Sequence, residues 1–238
     1  VRIRRFFILN LLIILTSSFL LAGCTHTKKT TIITIDTTEL SMQDFLYEIF
    51  QVEVDGNHLE DYYKKNLGYS YWDSVYKGTT MRELAKNAII AGVVMHQILM
   101  DQAEKNGLTL TKTEVLADQT IVEDIYKDNS SEALNNVGLT EDILQKSIDK
   151  ITLADKYKKQ LCKDFDIDED AIRSSIKRND YSSEESYEKA VSDAIAYDTD
   201  KQFEPAYQKI KADYKITINF DYWDGITIGS VFDFHEND

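Results

Sequence analysis

Ala103-Glu104-Lys105-Asn106-Gly107-Leu108-Thr109-Leu110-Thr111-Lys112-Thr113-Glu114 closes one helix and opens the next. Asn106-Gly107 offers the left-handed conformation in which helices end, since glycine has no Cβ to clash there. Thr111 and Glu114 have the spacing of a capping box, in which hydroxyl and carboxylate satisfy free backbone N–H groups at a helix start. Upstream, Thr80 and Glu83 form a second box. The line Met81, Leu84, Ala85, Ala88, Ile89, Gly92, His96, Leu99 and Ala103 behind it predicts one buried helical face. Downstream, Val115, Ile121, Val122 and Ile125 are expected to be buried. The fold class that follows is mainly α.

The same reading extends both ways. A short helix is expected around Ser131 to Val137, ending at Gly138. Thr140, with Glu141 and Asp142 behind it, starts another that runs to about Lys163 with Leu144, Ile148, Ile151 and Ala154 inward. Asp168 caps a helix toward Lys177. Ser182-Ser183-Glu184-Glu185 starts the last helical region, which reaches about Ala212 and is expected to kink or break near Pro205. Ser41 is expected to cap a helix carrying Met42, Phe45, Leu46, Ile49 and Phe50, with a turn at Asp55-Gly56. The β-branched run Thr31-Ile32-Ile33-Thr34-Ile35 reads as a strand. So do Ile216 to Phe220 and Ile226 to Ile228, where apolar and polar residues alternate. The first of these is expected to pair with Thr31–Ile35, so that a small β-sheet joins the N- and C-terminal strands.

The N-terminus has a different character. Basic Arg2, Arg4 and Arg5 precede an apolar run from Phe6 to Leu15, and then Leu21-Ala22-Gly23-Cys24. This is the layout of a secretory signal, and Leu-Ala-Gly-Cys resembles the lipobox of bacterial lipoproteins. The resemblance implies that residues 1–23 are a signal peptide and that Cys24 carries the lipid. It also places the protein at the extracytoplasmic face of the cell membrane. Residues 24–30 would be a tether, 31–220 the main domain and 221–238 a C-terminal strand and tail. Two acyl chains give stable anchoring where one is marginal, each buried methylene contributing roughly 0.8 kcal/mol.

The chain has 238 residues with 27 basic and 41 acidic side chains. Without the three arginines of the leader, 24 basic residues face 41 acidic ones, a net charge of −17. Such a surface repels phosphates and argues against nucleic acid as a partner. Lys28 and Lys29 are a local exception, placed to meet anionic headgroups. With Cys24 lipidated, Cys162 is left alone and no intramolecular disulfide forms. A single Pro and nine Gly suit long helices with short turns.

Two further segments complete a recurring order: Gly138-Leu139-Thr140-Glu141-Asp142-Ile143-Leu144, and Phe165-Asp166-Ile167-Asp168-Glu169-Asp170-Ala171-Ile172. Together with the lipobox, the opening strand and the Ala103–Glu114 junction, they resemble the chaperone domain of SurA and PrsA-type foldases. The likeness covers about Ile32 to Phe220 and includes the returning helix and strand from Ala206. It implies a helical chaperone domain that binds unfolded exported polypeptides in a cradle between helices. Those foldases carry a parvulin-type prolyl isomerase domain between the acidic helix and the returning helix. Here only Arg178 to Ser186 lie between them, and a domain needs at least about 50 residues. Isomerase activity is therefore not expected.

The residues that could carry chemistry are few. His26, His58, His96 and His235 are scattered, and only His26 stands near a Cys, the Cys24 expected to carry lipid, so no zinc-ligand set is spaced. His96 reads as a satisfied histidine on a buried stripe. Asp164, Asp166, Asp168 and Asp170 alternate, but an EF-hand loop from Asp164 would need Gly and Glu where Glu169 and Ser175 stand. No G-x-S-x-G, G-x-x-x-x-G-K or H-E-x-x-H occurs, and no cofactor or metal is implied. Tyr62, Tyr63, Tyr69, Tyr71, Trp72 and Tyr76 form an aromatic segment with two readings. The rings either cover the helical core or offer an adaptable apolar surface to non-native chains. The expected function is a lipid-anchored chaperone. The alternative is a lipid-anchored scaffold or accessory interaction protein that reuses the fold.

Overall fold

A computed structural model describes residues 30–232 of the chain. The leader 1–23, Cys24, the tether to residue 29, His26 and His235 lie outside the described residues.

The described chain opens with β1 (Thr31–Ile35) and β2 (Thr38–Ser41), joined by a turn with Asp36 at φ 52°. A 3-10 turn (Met42–Asp44) leads into α1 (Leu46–Leu67). A small hairpin of β3 (Val75–Tyr76) and β4 (Thr79–Thr80) follows, then α2 (Met81–Lys105) and α3 (Lys112–Asp128). Next come α4 (Ser131–Asn136), α5 (Glu141–Cys162), α6 (Glu169–Ser175) and α7 (Glu184–Lys211). The strand β5 (Ile216–Ile218) and the one-turn α8 (Phe220–Trp223) precede the final irregular segment.

The sheet is antiparallel in the order β2-β1-β5. Ile33 stands opposite Ile218, Thr34 opposite Thr217 and Ile35 opposite Ile216. The expected pairing of first and last strands is therefore present. Backbone bonds extend it at both ends: Asn219 N–H donates to Ile32 at 2.8 Å and Asp36 N–H to Lys215 at 2.8 Å. Ile32, Ile33 and Ile35 are buried beneath Phe45, Ile49 and Trp223 in one continuous core. Each fully buried aliphatic side chain of this kind contributes about 1.5–3 kcal/mol. The helix α2 packs most extensively against α5, which also carries α3. Leu144, Ile148 and Ala154 of α5 and Ile89, Val93, Ile98 and Leu99 of α2 are buried.

All the expected caps of the central helices are found. The hydroxyls of Thr80, Thr111 and Thr140 accept N–H groups of Glu83, Glu114 and Ile143, and Asp168 Oδ1 accepts that of Ala171. Gly107 sits at φ 72° where α2 ends.

Several expectations are corrected. Asp55-Gly56 is not a turn, because α1 runs through it. The helix also starts after Phe45, with the 3-10 turn rather than α-helix next to Ser41. Gly56 is glycine because Trp72 lies against it: a Cβ there would stand 2.1 Å from Trp72 Cζ2. The helix α7 does not break at Pro205. Phe203 and Tyr207 flank the proline and are both buried, so packing holds the helix together where one backbone bond is missing. Ile226–Ile228 forms no strand, and β5 stops at Ile218. Asn219 Oδ1 accepts the Tyr222 N–H at 3.2 Å and turns the chain into α8 instead. Ile121 of α3 and Ala88 of α2 are exposed, whereas Val93, Val94 and Ile98, outside the expected α2 stripe, are buried. The helix α2 is covered over more than one face, so a single stripe understates its burial.

Candidate functional site

The aromatic segment divides residue by residue. Trp72 is 2% exposed and belongs to the core, whereas Tyr62, Tyr69 and Tyr76 are 56%, 51% and 58% exposed. Tyr63 and Tyr71 are half-buried. The indole thus covers the core, and the three outer rings face solvent. Tyr62, Tyr63, Tyr69, Tyr71 and Trp72 form a connected chain of rings. Tyr63 packs edge-on against Tyr62, Tyr69 and Tyr71 with centroids 6.1, 5.5 and 5.4 Å apart, and Tyr71 meets Trp72 at 5.3 Å. Edge-to-face pairs of this kind are each worth about 0.5–1.5 kcal/mol beyond their buried area.

Sequence reasoning missed three further exposed apolar residues in this region of the chain, Leu59, Leu67 and Val75, which with the outer rings are called the ledge. The turn expected at Gly56 hid the first two. With α1 continued, Leu59, Tyr62 and Tyr63 fall at i, i+3 and i+4 on one helical face. The hairpin tip carries Tyr76 into solvent. Lys77 and Gly78 there have φ 51° and 89°, the paired positive values of a tight two-residue hairpin turn.

Glu60 braces the ledge. Its Oε2 accepts the Ser70 hydroxyl at 3.0 Å and the Trp72 N–H at 3.1 Å, while Lys64 lies 3.1 Å from Oε1. Burial works to raise its carboxyl, but Trp72, Lys64 and Ser70 outweigh that and hold it below the ordinary carboxylate value. The Trp72 indole N–H donates to Asn57 Oδ1 at 2.9 Å. Glu60 and Asn57 both stand on α1, so the loop is tied to that helix at two points.

On the other side of Trp72 lies the last described segment, residues 224–232, here called the strap. Glu53 of α1 is wholly buried and accepts its backbone N–H groups: Gly229 at 2.6 Å, Val231 at 3.2 Å and Phe232 at 2.8 Å. Lys86 of α2 donates to the carbonyls of Asp224 and Ile226 at 3.1 and 2.9 Å, and Arg82 donates to that of Ile228. Ile228 and Phe232 are buried, and Phe232 packs edge-on against Phe50. No signal for this clasp was read in the sequence.

Titratable groups also meet between the 3-10 turn, α1, α2 and α5. His96 Nδ1 lies 2.6 Å from Glu48 Oε1, beside Asp44, Tyr47, Ser147 and Lys150. Burial pushes the Lys150 amine down, against the pull of Asp44 and Glu48. The cavity they line measures about 10 Å³, space for a single water. His96 is therefore paired, as expected, and this cavity is too small for a substrate. A second, open cleft is lined by Phe165, Asp198, Lys201, Gln202 and Pro205. The helices α2 and α5 close on one another through their aliphatic faces. Exposed apolar side chains include those of the ledge, besides Leu116, Ile121, Tyr197, Phe220 and Tyr222 elsewhere.

Burial raises the Cys162 thiol, which leaves it a poor nucleophile. Among the described residues no group of three or more His, Cys, Asp or Glu side chains could hold a metal ion, and no helix is long and apolar enough to cross a membrane. Compared with known proteins, the chain matches no family model, no curated protein and no solved structure, so the ledge and the strap stand on their own geometry.

Proposed function

We propose that this protein is a lipid-anchored, extracytoplasmic polypeptide-binding protein of the chaperone type, without prolyl isomerase activity. Lipid at Cys24 tethers it to the membrane. Apolar segments of unfolded exported chains lie on the ledge of Tyr62, Tyr69 and Tyr76, flanked by Leu59, Leu67 and Val75. The observation that carries this reading is the exposure of these three rings beside a connected cluster of aromatic side chains on an acidic chain. Tyrosine suits such a surface, because its ring is apolar and its hydroxyl tolerates water. Contacts of this type are weak and tolerant of sequence, so release follows from client folding and needs no nucleotide. The SurA and PrsA-like order of elements, with the chain ends joined in one sheet, supports the same reading.

The test is aggregation suppression of an unfolded secreted protein by the soluble chain from Thr25 onward, against a variant carrying Tyr62→Ser, Tyr69→Ser and Tyr76→Ser. Suppression by the parent and its loss in the variant are expected. No suppression at several-fold excess would remove the chaperone reading. Retention of Cys24→Ala in the membrane fraction would remove lipid anchoring.

One observation favours an accessory protein that docks a single partner. The ledge is braced by Glu60 and by Trp72 seated against Gly56, which suits a fixed complementary surface better than an adaptable one. Saturable binding to one membrane-associated protein, with no effect on unfolded clients, would mark that outcome.

A further inference from the structure

The sheet β2-β1-β5 ends on β5, and among the described residues no further strand covers that edge. The ladder to β1 fixes which groups face outward. Asn219 N–H donates to the Ile32 carbonyl and the Lys215 carbonyl accepts the Asp36 N–H, each at 2.8 Å, with Thr217 opposite Thr34 in the same register. Antiparallel bonding alternates along a strand, so Thr217 also bonds toward β1, while Ile216 and Ile218 turn their N–H and carbonyl groups to the open side. Among the described residues no hydrogen bond reaches those outward groups. The main neighbour of β5 is β1, and no helix packs extensively against it. Thr217 is exposed, and just past the strand Phe220 and Tyr222 are 54% and 37% exposed. An unpaired strand edge of this kind is a template for another strand.

The sequence of the edge selects its partner. Ile216-Thr217-Ile218 reads the same in both directions. A two-fold axis through Thr217 puts Ile216 opposite Ile218 of a second copy, and Thr217 opposite its own equivalent. Ile216 and Ile218 then exchange both main-chain bonds on each side of the axis, and the two Thr217 residues form the closely spaced pair, with Cα atoms about 4.5 Å apart. The isoleucines extend the apolar face that already packs on the core. Charge allows the contact. The chain carries −14 overall, which keeps copies apart in general, but Lys215 to Phe220 contains one cation and no acid, and the register sets Lys215 against Asn219. The opposite edge, β2, lacks both properties: Thr38-Glu39-Leu40-Ser41 is not symmetric and carries a carboxylate.

We propose that β5 is a homodimerisation edge, at which two copies pair antiparallel about Thr217 and join their sheets into one of six strands, β2-β1-β5-β5-β1-β2. The contact is isologous and closes on itself. Such a dimer carries two ledges, and a client long enough to reach both is held more tightly than by either. That consequence rests on the ledge reading; the pairing does not, since no ledge residue takes part in it.

The test is sedimentation velocity of the full chain in detergent over a range of concentrations, alongside Thr217→Lys, Thr217→Asp and an equimolar mixture of the two. A dimer of the parent is expected. Each variant alone sets like charges against each other across the axis and should weaken the dimer about tenfold, while the mixture sets opposite charges together and should restore it. A monomeric parent would overturn the proposal and leave β5 to a strand from a different protein. A dimer kept by both variants, or a mixture that stays monomeric, would equally overturn it. Hydrogen exchange supplies a readout that needs no variant. As the parent is concentrated, the outward Ile216 and Ile218 amides should slow, while the Thr217 amide, bonded within the chain, stays slow throughout. Unchanged exchange at Ile216 and Ile218 would end the assignment of this edge. None of these readouts involves an unfolded client, so the ledge reading stands or falls separately.

Discussion

The ledge and the strap are anchored by the same residue type on the same helix, with opposite consequences. Glu53 and Glu60 stand seven residues apart, two turns of α1, on one face. Each binds an irregular segment, Glu53 through three of its N–H groups and Glu60 through one N–H and one hydroxyl, and the two segments meet at Trp72. Glu53 is sealed from water, and its carboxyl is pushed above the ordinary value by burial, only partly offset by Phe232, Gly229, Val231 and Ser230. Glu60 keeps some access to solvent and has Lys64 beside it, and its carboxyl is held below that value. The hydrogen bonds are alike in kind; access to water and a neighbouring cation decide the sign. One carboxylate is a relaxed brace, and the other is a clasp under electrostatic load.

The hardest way to break the comparison is to remove the part that both sides share. Trp72→Ala is expected to cost about 3–5 kcal/mol in urea unfolding, as large aromatic truncations in cores do. It should also loosen ledge and strap together. A loss below about 1 kcal/mol would mean that the two regions are not joined through the indole. Gly56→Ala comes next, at about 1–3 kcal/mol of overpacking strain, because the new methyl enters the space of the Trp72 ring. A neutral result would show that the indole moves aside easily.

Acidification separates the two carboxylates. A raised folded pKa means that the Glu53 contribution is fully present below the ordinary value of 4.5 and is lost as pH rises through the folded value. Parent stability relative to Glu53→Gln should therefore increase as pH falls from neutral. A lowered folded pKa means that the Glu60 contribution is present above 4.5 and is lost as pH falls through the folded value. The advantage of the parent over Glu60→Gln should therefore shrink in acid. Thermal unfolding of the three chains across about pH 3 to 7 reads both trends, and trends of the same sign would end the contrast. The smallest effect belongs to the outer rings. Tyr62→Ser and Tyr69→Ser should each cost no more than about 1.5 kcal/mol, the upper worth of the edge-to-face pair each makes with Tyr63, since these side chains otherwise stand largely in water. A larger loss would make the ledge structural rather than functional.

The sequence by itself determined what depends on near neighbours in the chain. Thr80 with Glu83, Thr111 with Glu114, Thr140 and Asp168 fixed the starts of four helices, because a cap needs only residues within one turn. The β-branched run at Thr31–Ile35 and the alternation from Ile216 were enough to expect the strand pair that closes the fold. The aromatic segment was visible as well, but not which of its rings face water. Tertiary structure decided that, by setting Trp72 between Gly56 and Gly229, residues 16 positions before it and 157 after it. The same distance in sequence hid the Glu53 clasp, the extension of α1 past Gly56 and the burial of Ile228 outside any strand. A glycine reads as a turn when only its own freedom is considered; here an indole from elsewhere in the chain needs the space a side chain would fill.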